Sequence, residues 1–312
     1  MADSGSPPLG PAAGAPLWTE LVAEQRLAST EVRPDSSGAA LAVMLLADGR
    51  FPVGGHAHSA GAEAACADGR IVDEATLATF VEGRLHSTGL VDAALAAAAV
   101  VVLAGCTSAD DARSALVVLD AEADARIAAP PLRAASRKLG RQLVRVAGRC
   151  WPDSTLALLP GIAPEGVHQA VALGAVAGAV GLSPEVVAHL SLHHAVTTPA
   201  QAAVRLLGLD PFGVAAVSVR LAPIAERIAA EAVAAARAAV AGRDEAVART
   251  TGVHERHGGG CVREGKVDAV RAGTTGGEPP HPGLADLPAC SGPLVEIAAM
   301  EHAAWDVRMF AT

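Results

Sequence analysis

The residues with the greatest chemical potential lie between Asp48 and Glu63, where two histidines and a serine stand among four glycines and a proline. Imidazole and carboxylate groups can bind a metal ion or act as a general base. On a helix, His56 and Glu63 would share a face, whereas His56 and His58 would point about 200° apart. A metal site that uses both histidines therefore requires extended backbone. The alternative is that these polar groups, with Ser59, hold the loop together.

Two other groups of residues could bind a metal. His189 and His193 lie four apart in a predicted helix, a spacing that can chelate a metal, although no His-Glu-x-x-His motif accompanies them. A glycine-rich segment further along could bind soft or borderline metal ions weakly; its candidate ligands are His254, His257, Cys261, His281 and Cys290. Two alternatives thus stay open, a metal-dependent hydrolase that uses His56, His58 and Glu63, and a metal-binding carrier that works through this glycine-rich segment.

The sequence does not predict a self-sufficient catalyst. It contains no nucleophile elbow, phosphate loop or dinucleotide-binding fingerprint. The glycines of residues 252–260 have neither a predicted strand before them nor a helix after them, so they do not form a phosphate cradle. We therefore predict a protein that is not an enzyme.

The composition predicts an all-α fold. Hydrophobic residues make up 51% of the chain, yet aromatic residues make up only 2% and tyrosine is absent. Ala and Leu favour helices, whereas strands favour β-branched and aromatic residues. We predict a single-domain, compact bundle of about ten helices, with a disordered N-terminal tail and a flexible insertion before the last helix.

We predict four regions along the chain. Residues 1–37 form a disordered tail and 38–242 the helical domain; 243–290 form a flexible Gly/Pro/His insertion, and 291–312 a C-terminal helix and tail that complete the domain. Within the domain, we predict a short buried helix at residues 39–47 and a second helix at residues 164–181. We also predict that a long Ala-rich helix ends at Gly242. Cap signals stand at Asp73, Ser183-Pro184 and Asp210-Pro211.

The charge pattern argues against a nucleic-acid partner. The net charge is −9, and phosphate binding requires clustered Lys and Arg. The densest basic cluster recurs at three- or four-residue spacing, which predicts one face of a helix exposed to solvent or to a partner protein. Its members are Arg133, Arg137, Lys138, Arg141, Arg145 and Arg149.

Several features predict a cytoplasmic protein that does not enter a membrane. The five cysteines are scattered and odd in number, which suits a reducing compartment. The first residues lack the hydrophobic stretch of a signal peptide. The apolar runs at 93–105 and 170–182 are each too short to cross a bilayer.

Several segments resemble, in the same order along the chain, those of the urease accessory protein UreF family. The family pattern is Asp-x-x-x-Pro-[Ile/Val]-Gly-x-[Phe/Tyr]-x-His-Ser-x-Gly-Leu-Glu, from which this chain departs at His56 and Ala62. Its matching residues are Asp48, Pro52, Val53, Gly54, His58, Ser59, Gly61 and Glu63. Later matches are Gly140-Arg141-Gln-Leu143, His168 to Gly174, Gly181 to Pro184, Ala202 to Leu206, and Glu296 to Thr312.

This resemblance implies a non-catalytic, all-helical chaperone that forms a dimer within a larger complex. Such proteins bind UreD, also called UreH, and recruit the GTPase UreG, so that nickel is inserted into apo-urease. The complex would handle nickel, with no cofactor bound stably by this chain. The candidate interface residues are Asp48, Phe51, Pro52, Gly54, His58, Ser59, Glu63, Arg141, His168, Arg205, His302, Arg308, Met309 and Phe310.

Overall fold

A computed structural model describes residues 36–255 and 283–311, which fold as an α-helical bundle. The all-α prediction is confirmed: these two ranges contain ten α-helices and no strand beyond one isolated bridge. The helices are α1 (Ser36–Ala47), α2 (Ala62–Ala67), α3 (Glu74–Arg84), α4 (Leu90–Gly105), α5 (Ala109–Arg126), α6 (Pro130–Cys150), α7 (Gln169–Ala179), α8 (Pro184–Leu207), α9 (Pro211–Glu255) and α10 (Pro293–Ala303).

The predicted cap signals begin helices as expected. The Asp73 carboxylate accepts a hydrogen bond from the Thr76 backbone N–H at 2.8 Å, and the Thr76 hydroxyl accepts one from the Asp73 N–H in return. Ser183 caps α8, whose first residue is proline. Asp210 caps α9 by accepting from the Gly213 N–H at 3.0 Å. In each case a side-chain oxygen satisfies a backbone donor that has no partner within the helix.

Helix α4 lies at the centre of the bundle and packs against α7, α8 and α9. Its residues 93–99 are alanines and one leucine, all with at most 1% of their surface exposed. Small side chains permit close approach. At Gly174 of α7, an added Cβ would lie 2.3 Å from the Ala96 carbonyl oxygen, so only glycine allows these two helices to approach this closely.

The core also contains a helical run that is long and apolar enough to cross a membrane by length and composition. It spans Glu74–Gly105 because a π-helical turn, Leu85–Gly89, joins α3 to α4 without a break. The apolar run at 93–105, predicted to be too short, is thus part of a 32-residue helix. Two thirds of its apolar window (67%) is buried inside the protein, as in the core helix of a globular fold.

Several helix boundaries differ from the predictions. Helix α1 is only half buried, because Leu41 and Met44 are 59% and 69% exposed. Helix α7 begins at Gln169 rather than near Pro164. Gly242 does not end α9, which continues to Glu255. A glycine inside a helix costs only about 1 kcal/mol relative to alanine. At Gly242 an added Cβ would lie 3.3 Å from the Gly283 Cα, so close packing favours glycine there.

The segment that precedes α10 is packed against the bundle. Leu284 and Leu287 are buried next to a 3₁₀ turn, Leu284–Asp286. The Arg126 guanidinium donates to the carbonyl oxygens of Ala285, Leu287 and Pro288 at 2.9–3.1 Å. The predicted insertion therefore has an ordered C-terminal end, while residues 1–35 and 256–282, including His257, Cys261 and His281, lie outside the described ranges.

Candidate functional site

The loop that carries the family pattern is held in a specific shape by its glycines. Gly54 and Gly61 have φ angles of 82° and 86°, in the left-handed region that other residues rarely adopt. At its start, the exposed Asp48 carboxylate accepts from the Arg50 N–H at 2.9 Å, a hydrogen bond that lowers the pKa of Asp48. His58, next to a short 3₁₀ turn, is buried. The loop thus begins at the surface and ends in the interior.

Glu63, the last residue of the pattern, binds three groups of the C-terminal segment. Its Oε2 accepts from His302 Nε2–H at 2.8 Å and from the Phe310 N–H at 3.0 Å. Its Oε1 accepts from the Met309 N–H at 2.6 Å. Glu63 and His302 are 7% and 3% exposed, so these hydrogen bonds are shielded from water. We call Glu63, His302, Met309 and Phe310 the Glu63 junction.

The tail continues past the Glu63 junction along the loop. The Ala311 N–H donates to the Ala57 carbonyl at 2.7 Å, and His58 and Ala311 form an isolated parallel bridge. Phe310 is 4% exposed and lies under Arg205, whose guanidinium carbon is 4.8 Å from the ring centroid. Such a cation–π contact contributes about 0.5–2 kcal/mol. Arg205 therefore fastens the tail from the α8 side.

The Glu63 junction leaves one exposed apolar surface beside it, which we call the C-terminal apolar face. Leu294, Ile297 and Met300 follow one side of α10, with 67%, 57% and 51% of their surfaces exposed. Val307 and Met309 in the tail that follows α10 are also exposed, at 87% and 64%, and we include them in this face. A group of exposed apolar side chains of this size is typical of a protein interface.

His168 belongs to a second, separate polar cluster behind α6. Its Nε2–H donates to Asp124 and its Nδ1 accepts from the Ser136 hydroxyl, both at 3.1 Å, an arrangement that suits a neutral imidazole. Burial and the nearby Arg137 lower the pKa of His168. Arg137 bridges Asp120 and Asp124 at 2.9 and 2.8 Å. This cluster fixes the start of α7, because the His168 N–H also donates to Asp120.

Gly140, which precedes Arg141 in the family pattern, explains how α6 meets this cluster. An added Cβ at Gly140 would lie 2.0 Å from the Val167 carbonyl oxygen. The glycine therefore allows the chain before α7 to lie directly on α6. Arg141 itself is exposed and donates to the Glu165 carbonyl at 3.2 Å.

Not all predicted interface residues come together. The structure joins Glu63, His302, Met309, Phe310 and Arg205 around one junction, with His58 beside it. Other predicted residues lie elsewhere. Phe51 is 8% exposed and stacks on Trp151, with 6.0 Å between the ring centroids. Ser59 is 1% exposed, so the side chains of both Phe51 and Ser59 are buried in this chain. Pro52 and Arg308 are exposed, whereas His168 lies in the second cluster.

The metal-site candidates do not converge. Both oxygens of Glu63 are occupied by the tail, and His56 is exposed while His58 is buried. His189 uses its two nitrogens on the Glu185 carbonyl and the Glu226 carboxylate, each at 2.7 Å. No group of three or more His, Cys, Asp or Glu residues within the described ranges could hold a metal ion.

Comparison with known proteins agrees with the resemblance to the UreF family. The sequence model of the UreF family matches residues 71–222. A relative named urease accessory protein UreF from Mycolicibacterium vanbaalenii is 45% identical over 190 residues, which cover 61% of this chain and 84% of that protein. The chain belongs to the UreF family. The UreF relative in Mycobacterium tuberculosis is 45% identical over 198 residues, which cover 62% of this chain and 86% of that protein. The relative in Mycobacterium sp. strain JLS is 42% identical over 190 residues, which cover 61% of this chain and 83% of that protein. All three are named as accessory proteins and not as enzymes.

The sequence interpretation missed a polar cavity inside this UreF-family fold. It has a volume of about 190 Å³, and its lining of polar and apolar residues includes Arg84, Thr88, Asp92 and His194. The Arg84 Nε and the Thr88 hydroxyl have no hydrogen-bond partner within the described residues. Burial raises the pKa of Asp92 to about 6 and lowers that of His194. The sequence did contain a signal for this cavity, because Arg84 and Asp92 are charged residues eight positions apart in an apolar helical segment.

Proposed function

We propose that this chain is a non-catalytic scaffold of urease maturation that binds UreD (UreH) and recruits the GTPase UreG for nickel insertion into apo-urease. In this proposal nickel is the cargo of the assembled complex and no cofactor is resident in the chain. The scaffold acts in the cytoplasm and forms a homodimer within the complex. Membership of the UreF family supports the role, and the accessory-protein names of the relatives support its non-enzymatic character.

The observation that carries the proposal is the C-terminal apolar face beside the Glu63 junction. Its side chains are those that commonly contribute to protein interfaces, since Leu, Ile and Met gain about 1.5–3 kcal/mol each when a partner removes them from water. The Glu63 junction holds the surface rigid through three buried hydrogen bonds. A preorganised surface loses less conformational entropy on binding, so more of the burial energy appears as affinity.

The proposal also explains what the residues of the family pattern do. Asp48, Gly54 and Gly61 shape the loop, and Glu63 uses that shape to hold a segment from the other end of the chain. We propose that this arrangement builds a docking platform for UreD. Arg308, exposed next to Met309, would lie at the rim of that platform, where arginine is common in interfaces.

The test replaces the α10 part of the face with polar side chains. The triple variant Leu294→Ser/Ile297→Ser/Met300→Ser should bind purified UreD at least about 100-fold more weakly. The three side chains are 51–67% exposed, so a partner buries only part of each, and the variant loses about 3 kcal/mol or more in total. Urease activation in cells that co-express the urease genes should fall with it. Calorimetry or surface plasmon resonance measures the affinity, and ammonia release measures urease activity.

The control uses equally exposed apolar residues on another helix. Phe212 and Val219 of α9 are 85% and 74% exposed, so Phe212→Ser/Val219→Ser removes a similar apolar area without touching α10. This control should bind UreD and activate urease like the unmodified protein. Full urease activation by the α10 triple variant would refute the proposal.

A further inference from the structure

The basic face of α6 is divided into two electrostatically different halves. Near its N-terminus, Arg137 pairs with Asp120 and Asp124, and Arg133 also lies 3.9 Å from Asp124. The C-terminal half carries Arg141, Arg145 and Arg149, all exposed; in the described ranges no carboxylate pairs with any of them. These three are four residues apart, so they project from one side of the helix at intervals of about 6 Å. Their charges stand out in a protein of net charge −9.

The three arginines border a groove with an apolar floor. The groove lies between α6 and the 3₁₀ turn Leu156–Gly161 and has a volume of about 550 Å³. Val144, Leu156, Leu159 and Val167 form the floor, and each is at most 8% exposed. We call this the α6 groove.

The opposite wall of the α6 groove is rigid. It contains Pro152, Pro160 and Pro164, whose rings fix their φ angles. Asp153 holds the start of the 3₁₀ turn, because its Oδ1 accepts from the Thr155 and Leu156 N–H groups at 2.7 and 3.2 Å. That carboxylate is thus engaged in capping. The groove is therefore formed in advance, with one cationic and one proline-lined rim.

We propose that the α6 groove binds an acidic, amphipathic helix of a partner protein. A helix with Glu or Asp at every fourth position repeats its charges at the same interval of about 6 Å as the three arginines, so each carboxylate can pair with one guanidinium. Aliphatic side chains on the adjacent side of that helix would enter the groove and cover its floor. Peptide helices commonly bind hydrophobic grooves in this way.

The chemistry favours a peptide over a nucleic acid. Single-stranded nucleic acid binds to proteins through aromatic side chains that stack on its bases, and the lining of the groove contains none. The apolar floor matches aliphatic groups and not phosphates. The α6 groove is also separate from the C-terminal apolar face, since the tail lies beside the other half of α6, where the two line a cleft around Ala134 and Lys138. The inference therefore stands whether or not the proposed function is correct.

The test uses a fluorescein-labelled helical peptide of about 20 residues, long enough for stable helicity, with Glu at every fourth position and Leu beside it. Fluorescence anisotropy of the whole protein measures binding. Arg145→Gln/Arg149→Gln should weaken binding at least tenfold at low ionic strength, and Ala157→Glu should do the same by placing a carboxylate in the groove. Added salt should weaken binding to the unmodified protein, because the partly exposed pairs are screened.

The matched control is Arg220→Gln/Arg227→Gln, which removes two exposed arginines of α9 and the same net charge. It should bind the peptide like the unmodified protein. Equal binding by the α6 double variant, or no binding by the unmodified protein, would overturn the proposal.

Four further tests distinguish an acidic peptide helix from competing occupants of the α6 groove. A peptide with Gln for Glu, or with Ser for Leu, should bind at least tenfold more weakly; if either binds equally, the arginines or the groove floor have no role and the proposal is wrong. Tighter binding of a DNA oligonucleotide of equal charge would identify a nucleic-acid surface instead. A dimer in sedimentation that the α6 double variant abolishes would identify a second copy of this chain as the occupant, which also overturns it.

Discussion

Replacement of Glu63 by glutamine should release the C-terminal tail while leaving the bundle folded. Glutamine has almost the same shape, but one of its two terminal atoms is an NH₂ group that cannot accept a hydrogen bond. If the amide oxygen takes the place of Oε2, it still accepts from His302 and Phe310. The NH₂ group then faces the Met309 N–H, which loses its acceptor.

The magnitude follows from the hydrogen bonds that are lost or weakened. A hydrogen bond to a charged group contributes about 1.5–3 kcal/mol, and a buried donor without a partner costs about 1–3 kcal/mol. The other two hydrogen bonds, from His302 and Phe310, are also weakened, because their acceptor becomes a neutral amide oxygen instead of a carboxylate oxygen. We expect the free energy that keeps the tail docked to fall by about 2–4 kcal/mol, which corresponds to about a 30- to 700-fold increase in tail opening.

Hydrogen exchange measured by mass spectrometry is the direct assay. In Glu63→Gln, the amides of residues 309–311 should exchange faster by that factor, while the amides of α4 and α8 stay protected. Glu301→Gln is the control, because Glu301 is an exposed carboxylate on the same C-terminal helix. Unchanged exchange of the tail in Glu63→Gln, or an equal change in Glu301→Gln, would refute the role assigned to the Glu63 junction.

Two further predictions concern the stability of the bundle. Gly140→Ala should lower the free energy of unfolding by about 3 kcal/mol or more and the melting temperature by about 6–12 °C, because the new Cβ would lie 2.0 Å from the Val167 carbonyl oxygen. The control is Gly148→Ala on the same helix, which should stabilise the protein slightly because no atom lies within 4 Å of the added Cβ. Equal melting temperatures of the two variants would contradict the steric argument. The pKa of Asp92 is raised from 3.8 to about 6 in the folded protein, so the folded state binds the proton more tightly and stability falls as pH rises. Urea unfolding should show this loss as about 2 kcal/mol between about pH 4.5 and pH 7.5. Asp92→Asn should lack that part of the pH dependence; an identical pH dependence in both proteins would show that Asp92 does not titrate in this range.

The fold class and most helix starts could be predicted because their causes are local. Alanine and leucine content determines helix preference, and the cap residues at Asp73, Ser183 and Asp210 act within three positions of the helices they begin. Boundaries failed where packing outweighs local preference. Gly242 lies inside α9, and a buried polar cluster sets the start of α7 at Gln169.

The candidate site could be predicted only in part. The pattern identified Glu63, and the C-terminal match identified His302 and Phe310, but neither showed that they form one junction. Two of the three donors to Glu63 are backbone N–H groups, which every residue except proline has and which no sequence pattern marks. The burial of Phe51 could not be predicted for a related reason, since its stacking partner Trp151 lies 100 positions away.

The separation between Glu63 and Phe310, 247 positions along the chain, has a consequence for when the Glu63 junction can form. Closing a loop of that length costs roughly 5 kcal/mol of chain entropy, far more than a contact within one helix. The central helices must therefore assemble first and bring the two segments close together. Only a molecule that has completed its folding contains the Glu63 junction, so a partner that binds the surface we propose would bind fully folded copies in preference to unfinished ones.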